Sequence, residues 1–305
     1  MKTKLIIDTD PGIDDAMAII FAALHPKIEL MAMTTIFGNV TIDRATRNAL
    51  RLAEMTDQDI PVAEGAAVPL SITPNPIADF VHGTEGFGDV PASTPKGRKD
   101  PLPADQFLVE MINTHPGEIT LCPIGPLTNI ANALALDPSI AAKVKNVVIM
   151  GGSLHEAGNV SGVSEANIWN DPHAADIVFA ADWPMTMIGL DVTTQIHGFE
   201  HHFDDLAKAA PKLGGFLNQM FPYYAKSYYD RFTLKGVMMH DPSALVACIR
   251  PELFDYENAP LEVVTEGPNI GQTRRTTNRR EVAVAVSAQI DSVMNLFLDT
   301  VKSGS

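Results

Sequence analysis

Short apolar runs bounded by turn residues alternate along this chain with longer stretches of helical composition. Residues 4–7 read as a buried strand and 16–24 as a buried helix. Residues 28–36 form a second strand candidate, ending in Phe37-Gly38-Asn39, and 41–56 are helical in composition. Further strands are expected at 61–64, 118–122, 144–150 and 184–190, with helices at 127–136, closed by Asp137-Pro138, and at 172–181. The sheet resumes at 261–264 and 281–286, and an amphipathic helix at 290–301 follows. This alternation predicts an α/β fold, a mainly parallel central sheet flanked by helices. No repeat or clean boundary interrupts it, so a single domain over residues 1–305 is expected. Such sheets bind ligands beyond the carboxyl ends of their strands. Here those ends carry Asp10, Asn39, Ile124-Gly125, Gly151-Gly152 and Asp191.

Two segments break the rhythm. Residues 68–103 are dense in Pro and Gly and read as a long surface loop, a kind of segment that is usually functional or mobile. Residues 216–239 hold Tyr223, Tyr224, Tyr228 and Tyr229, then Asp230 and Arg231. Tyrosines at helical spacing suit core packing, and with their polar tips they equally suit the rim of a pocket. Arg274, Arg275, Arg279 and Arg280 form a basic cluster that reads as a solvated loop or a subunit contact.

Composition narrows the partners. The 305 residues are 46% hydrophobic, enough for a large core, and the net charge of −15 disfavours a nucleic-acid polymer or an anionic membrane. Cys122 and Cys248 lie in apolar runs and read as buried thiols, not as a disulfide framework or a zinc site. The first apolar run breaks at Asp8, unlike a signal peptide, and no apolar stretch reaches the roughly 18 residues of a membrane span. A soluble cytoplasmic protein is expected.

The chemistry concentrates in Asp8-Thr9-Asp10-Pro11-Gly12-Ile13-Asp14-Asp15, four carboxylates where a strand turns into a helix. Capping and the helix dipole account for one or two of them. The rest repel unless a cation lies between them, and a hard divalent ion takes oxygen ligands. In His240-Asp241-Pro242, Pro242 suits the first position of a helix, so Asp241 reads as its cap, as do Asp137 and Asp171 before their prolines. The neighbouring His240 is a candidate proton donor, with a structural histidine as the alternative. Asn159, Glu165, Asn167 and Asn170 cluster as amides and a carboxylate able to hold sugar hydroxyls, or simply form a polar loop. His82, within the long loop, reads as solvent-facing.

These pieces, in order, resemble the inosine-uridine nucleoside hydrolases. The opening acidic signature is followed by Phe37-Gly38-Asn39, Val81-His82-Gly83, Gly125-Pro126-Leu127-Thr128-Asn129, Met150-Gly151-Gly152, Gly189-Leu190-Asp191-Val192-Thr193 and His240-Asp241-Pro242. Each motif is weak alone; the ordered set is specific and spans residues 5 to about 255. Residues 36–40, 65–70 and 151–153 look most like the broad-specificity ribonucleoside hydrolases.

The resemblance implies Ca²⁺-dependent hydrolysis of ribonucleosides to ribose and a free purine or pyrimidine base. It implies Ca²⁺ ligands at Asp10, Asp15 and Asp241, with the Ile124 carbonyl, and makes Asp10 the base for the attacking water. Asp14, Asn39, Asn159, Glu165 and Asn167 would hold the ribose hydroxyls, with Met150 beneath the sugar. His240 would donate a proton toward the leaving base, and His82 would sit near that base. A homodimer or homotetramer is the family habit. The chain departs from the family at Ala166, where a Phe usually follows the glutamate, and the loop between Met150 and Asn159 is one residue longer than in many relatives. Two rivals start from the same residues: a haloacid-dehalogenase-type phosphatase, whose strand also ends in Asp-x-Asp, and a nucleoside binder without turnover.

Overall fold

The first apolar run shows how the sheet is built. Along it, Leu5 and Ile7 pack into one hydrophobic core and Ile6 into another on the opposite face. A strand covered on both faces needs no polar alternation, which is why its sequence is continuously apolar. The computed structural model describes residues 2–304, so Met1 and Ser305, the ends of the expected domain, lie outside the described residues. Its strands are β1 (Thr3–Thr9), β2 (Ile28–Thr35), β3 (Val62–Glu64), β4 (Ile119–Pro123), β5 (Asn146–Met150), β6 (Met185–Ile188), β7 (His197–Gly198), β8 (Val237–Met238), β9 (Phe254–Val263), β10 (Thr273–Arg275) and β11 (Glu281–Ala288). Nine of them form one sheet in the order β10-β9-β11-β6-β5-β4-β1-β2-β3, and β7 pairs with β8.

From β3 to β11 all neighbours are parallel; β9 and β10 add an antiparallel edge. The fold is therefore the expected single-domain α/β sheet flanked by helices. The chain runs from β1 to β2 and β3 on one side, then returns to β4 on the other. The strand order thus reverses between β1 and β4, and a crevice opens at their carboxyl ends.

Helix Ile13–Leu24 sets the next layer. Residues Ile13 to Ala22 are all buried. A helix apolar all round lies between layers, so its two polar members, Asp14 and Asp15, are buried as well. It packs against helix His240–Ile249 in the same core.

Several elements differ from expectation. Helices Ala104–Thr114 and Glu200–Ala209 were not foreseen. The tyrosine segment is mostly helix, Leu213–Phe232, even with Pro222 inside it. The long loop holds a helical turn, Asp79–His82, and buries Val81, His82, Phe87 and Val90. Arg274, Arg275 and Arg280 of the arginine cluster are solvent-exposed, as expected, and Arg279 is half-buried, but their charge is compensated within the chain. Each member pairs with a carboxylate of this chain: Arg274 with Glu262, Arg275 with Glu257, Arg279 with Asp176 and Arg280 with Asp182. Sequence adjacency of four cations says nothing of the acids that the fold sets opposite them. Asp137 and Asp171 cap as expected, accepting from the backbone N–H of Ser139 and Ala174.

Candidate active site

The strand-to-helix turn after β1 spreads its carboxylates in different directions. Asp8 points away from the others and accepts from Thr34 Oγ1 (2.5 Å) and Asn129 Nδ2 (2.7 Å), tying β1 to β2 and to helix Thr128–Leu136. It stands outside the acidic cluster because it still belongs to β1, whereas Asp10, Asp14 and Asp15 follow the end of the strand.

Asp10 lies between two glycines. A Cβ on Gly38 would come within 2.0 Å of Asp10 Oδ2, and one on Gly125 within 2.6 Å of Oδ1. Oδ2 accepts from Asn39 N (2.6 Å), whereas Oδ1 is buried and has no partner among the described residues. Asp15 turns back to the turn itself, accepting from Thr9 Oγ1 (2.6 Å), Gly12 N (2.9 Å) and Asn39 Nδ2 (3.0 Å). Asp14 Oδ1 is a second buried oxygen without a partner.

Asp241 joins them from the far end of the chain. It does not cap its helix: that helix begins at His240, with Met239 at the cap position. Asp241 therefore sits in the first turn, buried, and faces the N-terminal end of helix Ile13–Leu24. One carboxylate oxygen from each of Asp14, Asp15 and Asp241 lies within 4.8 Å of the other two. Asp10, grouped with Asp15 and Asp241 by the resemblance, lies outside that trio, and Asp14 is in it.

Burial disfavours charge on all of these groups. It pushes Asp14 up to about 6 and, with repulsion from Asp14, Asp15 up to about 6. Asp10 and Asp241 are raised well above the carboxylate range by burial and by neighbouring aspartates. Buried carboxylates this close, with two oxygens unpaired among the described residues, suit a hard divalent cation. The residues fit a metal on that ground.

Above the cluster is a cavity of about 310 Å³. Asp14, Asn39, Met150, Asn159, Glu165, Asn167, His82, His240, Asp241 and Ile124 all line it, as expected of a site formed from distant motifs. Asp10 and Asp15 are not among its lining residues. Asn167 Nδ2 donates to the carbonyls of Ile124 (3.0 Å) and Met150 (3.1 Å). The Ile124 oxygen keeps a second lone pair. Glu165 accepts from the N–H groups of Gly152, Asn167 and Ile168, and so caps helix Ala166–Asn170. Burial still pushes it up to about 7. Asn159 Oδ1 accepts from Ala166 N (3.0 Å).

The two histidines are buried. His82 is not solvent-facing: Ile13 N donates to its Nδ1 (3.2 Å), which leaves the proton of the neutral ring on Nε2. Burial lowers it to about 4. His240 Nδ1 pairs with Thr193 Oγ1 (2.7 Å), and burial followed by the nearby His82 lowers His240 to about 3. Between the rings lie Tyr224 and Tyr228, with hydroxyls 3.2 Å apart. Pro76, Phe80, Trp169, Asn170 and Arg231 complete the wall. Thr193, Trp169, Phe80 and Arg231 carried no chemical signal in the sequence; Thr193 stood in a quoted motif, and Arg231 closed the tyrosine stripe.

Comparison with known proteins gives the geometry its context. Residues 5–295 match the family model of the inosine-uridine preferring nucleoside hydrolases. Uridine nucleosidase 1 of Arabidopsis thaliana is 43% identical over 88% of this chain and 81% of that protein. The inosine-uridine preferring nucleoside hydrolase of Crithidia fasciculata is 36% identical over 99% of this chain and 98% of its own. Among solved structures, a plant nucleoside hydrolase superposes with a TM-score of 0.96 at 36% identity, covering 99% of this chain and 100% of that one. The purine-preferring ribonucleoside hydrolase of Gardnerella vaginalis gives 0.95 at 32%, covering 99% of both. A buried acidic cluster under a cavity thus belongs to a fold and sequence shared nearly end to end with these enzymes, and the chain is a member of the inosine-uridine preferring nucleoside hydrolase family, a ribonucleoside hydrolase.

Proposed function

We propose that the chain hydrolyses the N-glycosidic bond of purine and pyrimidine ribonucleosides in a Ca²⁺-dependent reaction that releases ribose and the free base. The observation that carries the metal is the buried trio Asp14, Asp15 and Asp241, with Asp10 Oδ1 left without a partner nearby. Asp15 and Asp241 of that trio would hold the ion, with Asp10 and the Ile124 carbonyl as the family likeness implies, and Asp14 beside them would face the sugar. When bound, Ca²⁺ supplies Lewis-acid activation of water and a fixed grip on the sugar diol.

The residues divide the remaining work. Asp10 takes the proton of the attacking water through its free Oδ1, while Asn39 N fixes Oδ2. Asp14, Asn39, Asn159, Glu165 and Asn167 bind ribose hydroxyls, and Met150 supports the underside of the ring. The carboxylates also stabilise positive charge as the sugar becomes oxocarbenium-like. At neutral pH His240 carries no charge, so it meets the departing base as a hydrogen-bond donor through Nε2–H, with Thr193 donating to Nδ1. His82 presents the same Nε2–H close by. Calcium, a role in base salvage, a cytoplasmic location and a homodimer or homotetramer complete the proposal; they rest on the family likeness.

Base release from inosine, uridine, cytidine and xanthosine, followed spectrophotometrically, tests this directly. Chelation should abolish turnover and Ca²⁺ restore it, and Asp10→Ala should lower kcat by about 10²–10⁴. Full activity in that variant removes Asp10 as the base. Tight binding without turnover in the unmodified protein favours the binder over the enzyme.

A further inference from the structure

One cation stands at the mouth of an otherwise acidic cavity. Arg231 is the only Lys or Arg among the lining residues. It lies in the last turn of helix Leu213–Phe232, where the negative end of the dipole favours a cation. That helix stops at Thr233 in the left-handed conformation (φ 57°, ψ 21°), a strained setting for a β-branched residue. Arg231 Nη2 donates to the carbonyl of Asn159 at 2.7 Å, across 72 residues of sequence. Its guanidinium carbon lies 5.6 Å from the centre of the Phe80 ring and 4.9 Å from that of Phe232. Both rings are largely exposed, at 60% and 46%. Among the described residues the guanidinium forms no ion pair, although the chain is rich in acids.

The three contacts join three separate parts of the mouth: the turn through Asn159, the helical turn at Phe80 and the end of the tyrosine helix. Among the described residues this is the one hydrogen bond between that helix and the turn of residues 158–164. Asn159 is consequently held twice, by Arg231 on its carbonyl and by Ala166 N on Oδ1. Only its Nδ2 is left to face the cavity. Ala166, whose N–H holds Asn159 Oδ1, itself has no ring with which to brace that turn.

We propose that Arg231 is a positioning residue, a clasp that fixes Asn159 and the Phe80 turn over the sugar and does not read the base. The proposal rests on the reading of the cavity as a ribonucleoside site. A clasp acts on every riboside alike, whereas a base contact discriminates among bases.

The test compares the unmodified protein with Arg231→Ala and Arg231→Lys, using inosine, uridine and 4-nitrophenyl riboside, which has no nucleobase. Loss of one charge-assisted hydrogen bond should raise KM about tenfold for all three substrates in the alanine variant, with kcat changed far less. Lys, keeping the charge and one donor, should recover part of the loss. Hydrogen exchange of the substrate-free protein should show amides of residues 158–164 exchanging about tenfold faster in Arg231→Ala. Unchanged exchange overturns the clasp. A loss confined to inosine and uridine overturns it too, and makes Arg231 a base contact. If the unmodified protein turns over none of the three, the function proposed above fails, while the exchange experiment still decides the clasp.

Discussion

His240 shows how one atom's partner decides what a side chain does. Burial keeps its ring neutral, at about 3, so its use lies in where the remaining proton sits. Thr193 is fully buried, and its Oγ1 lies 2.7 Å from Nδ1 with no other partner among the described residues. With the hydroxyl donating, Nε2–H is turned to the cavity. Thr193→Val keeps the shape and removes that orientation. Its kcat should fall about tenfold, the value of one lost hydrogen bond, with KM nearly unchanged. His240→Ala should cost more, about 10²–10⁴ in kcat. Equal activity of Thr193→Val and the unmodified enzyme in steady-state assays would mean that the hydroxyl does not set the tautomer.

Elements, more than residues, decide which motifs meet. Asp171 illustrates the joints involved. It is fully buried and caps helix Pro172–Ala180 through Ala174 N (3.0 Å), and its other oxygen accepts from Leu70 N (2.8 Å) and Thr128 Oγ1 (2.7 Å). Asp171→Ala strands donors on three segments and should lower stability by about 3 kcal/mol in urea unfolding; a change below about 1 kcal/mol would show that solvent replaces the carboxylate. The cap was legible in Asp171-Pro172, because capping is local chemistry. The parallel sheet was legible for the same kind of reason: strands with two covered faces are written as continuous apolar runs. What the sequence hid is long-range. Asp241 looked like a cap because its packing against helix Ile13–Leu24 spans a sequence separation of 226 residues from Asp15. The exposure of Arg274, Arg275 and Arg280 was legible, but their partners Glu262, Glu257 and Asp182, and Asp176 beside Arg279, were not, because the fold brings them from distant positions. His82 looked exposed because a Pro- and Gly-rich segment conceals how tightly Gly12 lets its ring approach, a Cβ there falling 2.5 Å from Nδ1.

At the scale of the whole molecule the acidic cluster sets how stability responds to pH. Without a cation, burial holds Asp14 and Asp15 at about 6 and Asp8 and Glu165 at about 7, with Asp10 and Asp241 also raised. Their ordinary values are 3.8 and 4.5. Between about pH 4 and 7 the folded chain therefore keeps protons that the unfolded chain has released, and stability from these groups falls as pH rises. His82 and His240 act oppositely. Lowered to about 4 and 3 from 6.5, they contribute stability that is present above 6.5 and is lost as pH falls toward those values. Six raised carboxylates outweigh two lowered histidines, so the site makes the chelated protein less stable at about pH 7.5 than at about pH 5. On the proposal that the cluster holds Ca²⁺, the ion should reverse the balance, because it would bind the charged carboxylates and compete with their protons. At 100 times its Kd it adds about 2.7 kcal/mol, and its apparent Kd should fall as pH rises. Thermal unfolding with EDTA and with excess Ca²⁺ at about pH 5, 6 and 7.5 measures both effects. Tm in EDTA should drop over that range and the increment from Ca²⁺ should grow; an increment that stays constant would detach the buried trio from the ion and leave its proximity unexplained by metal binding.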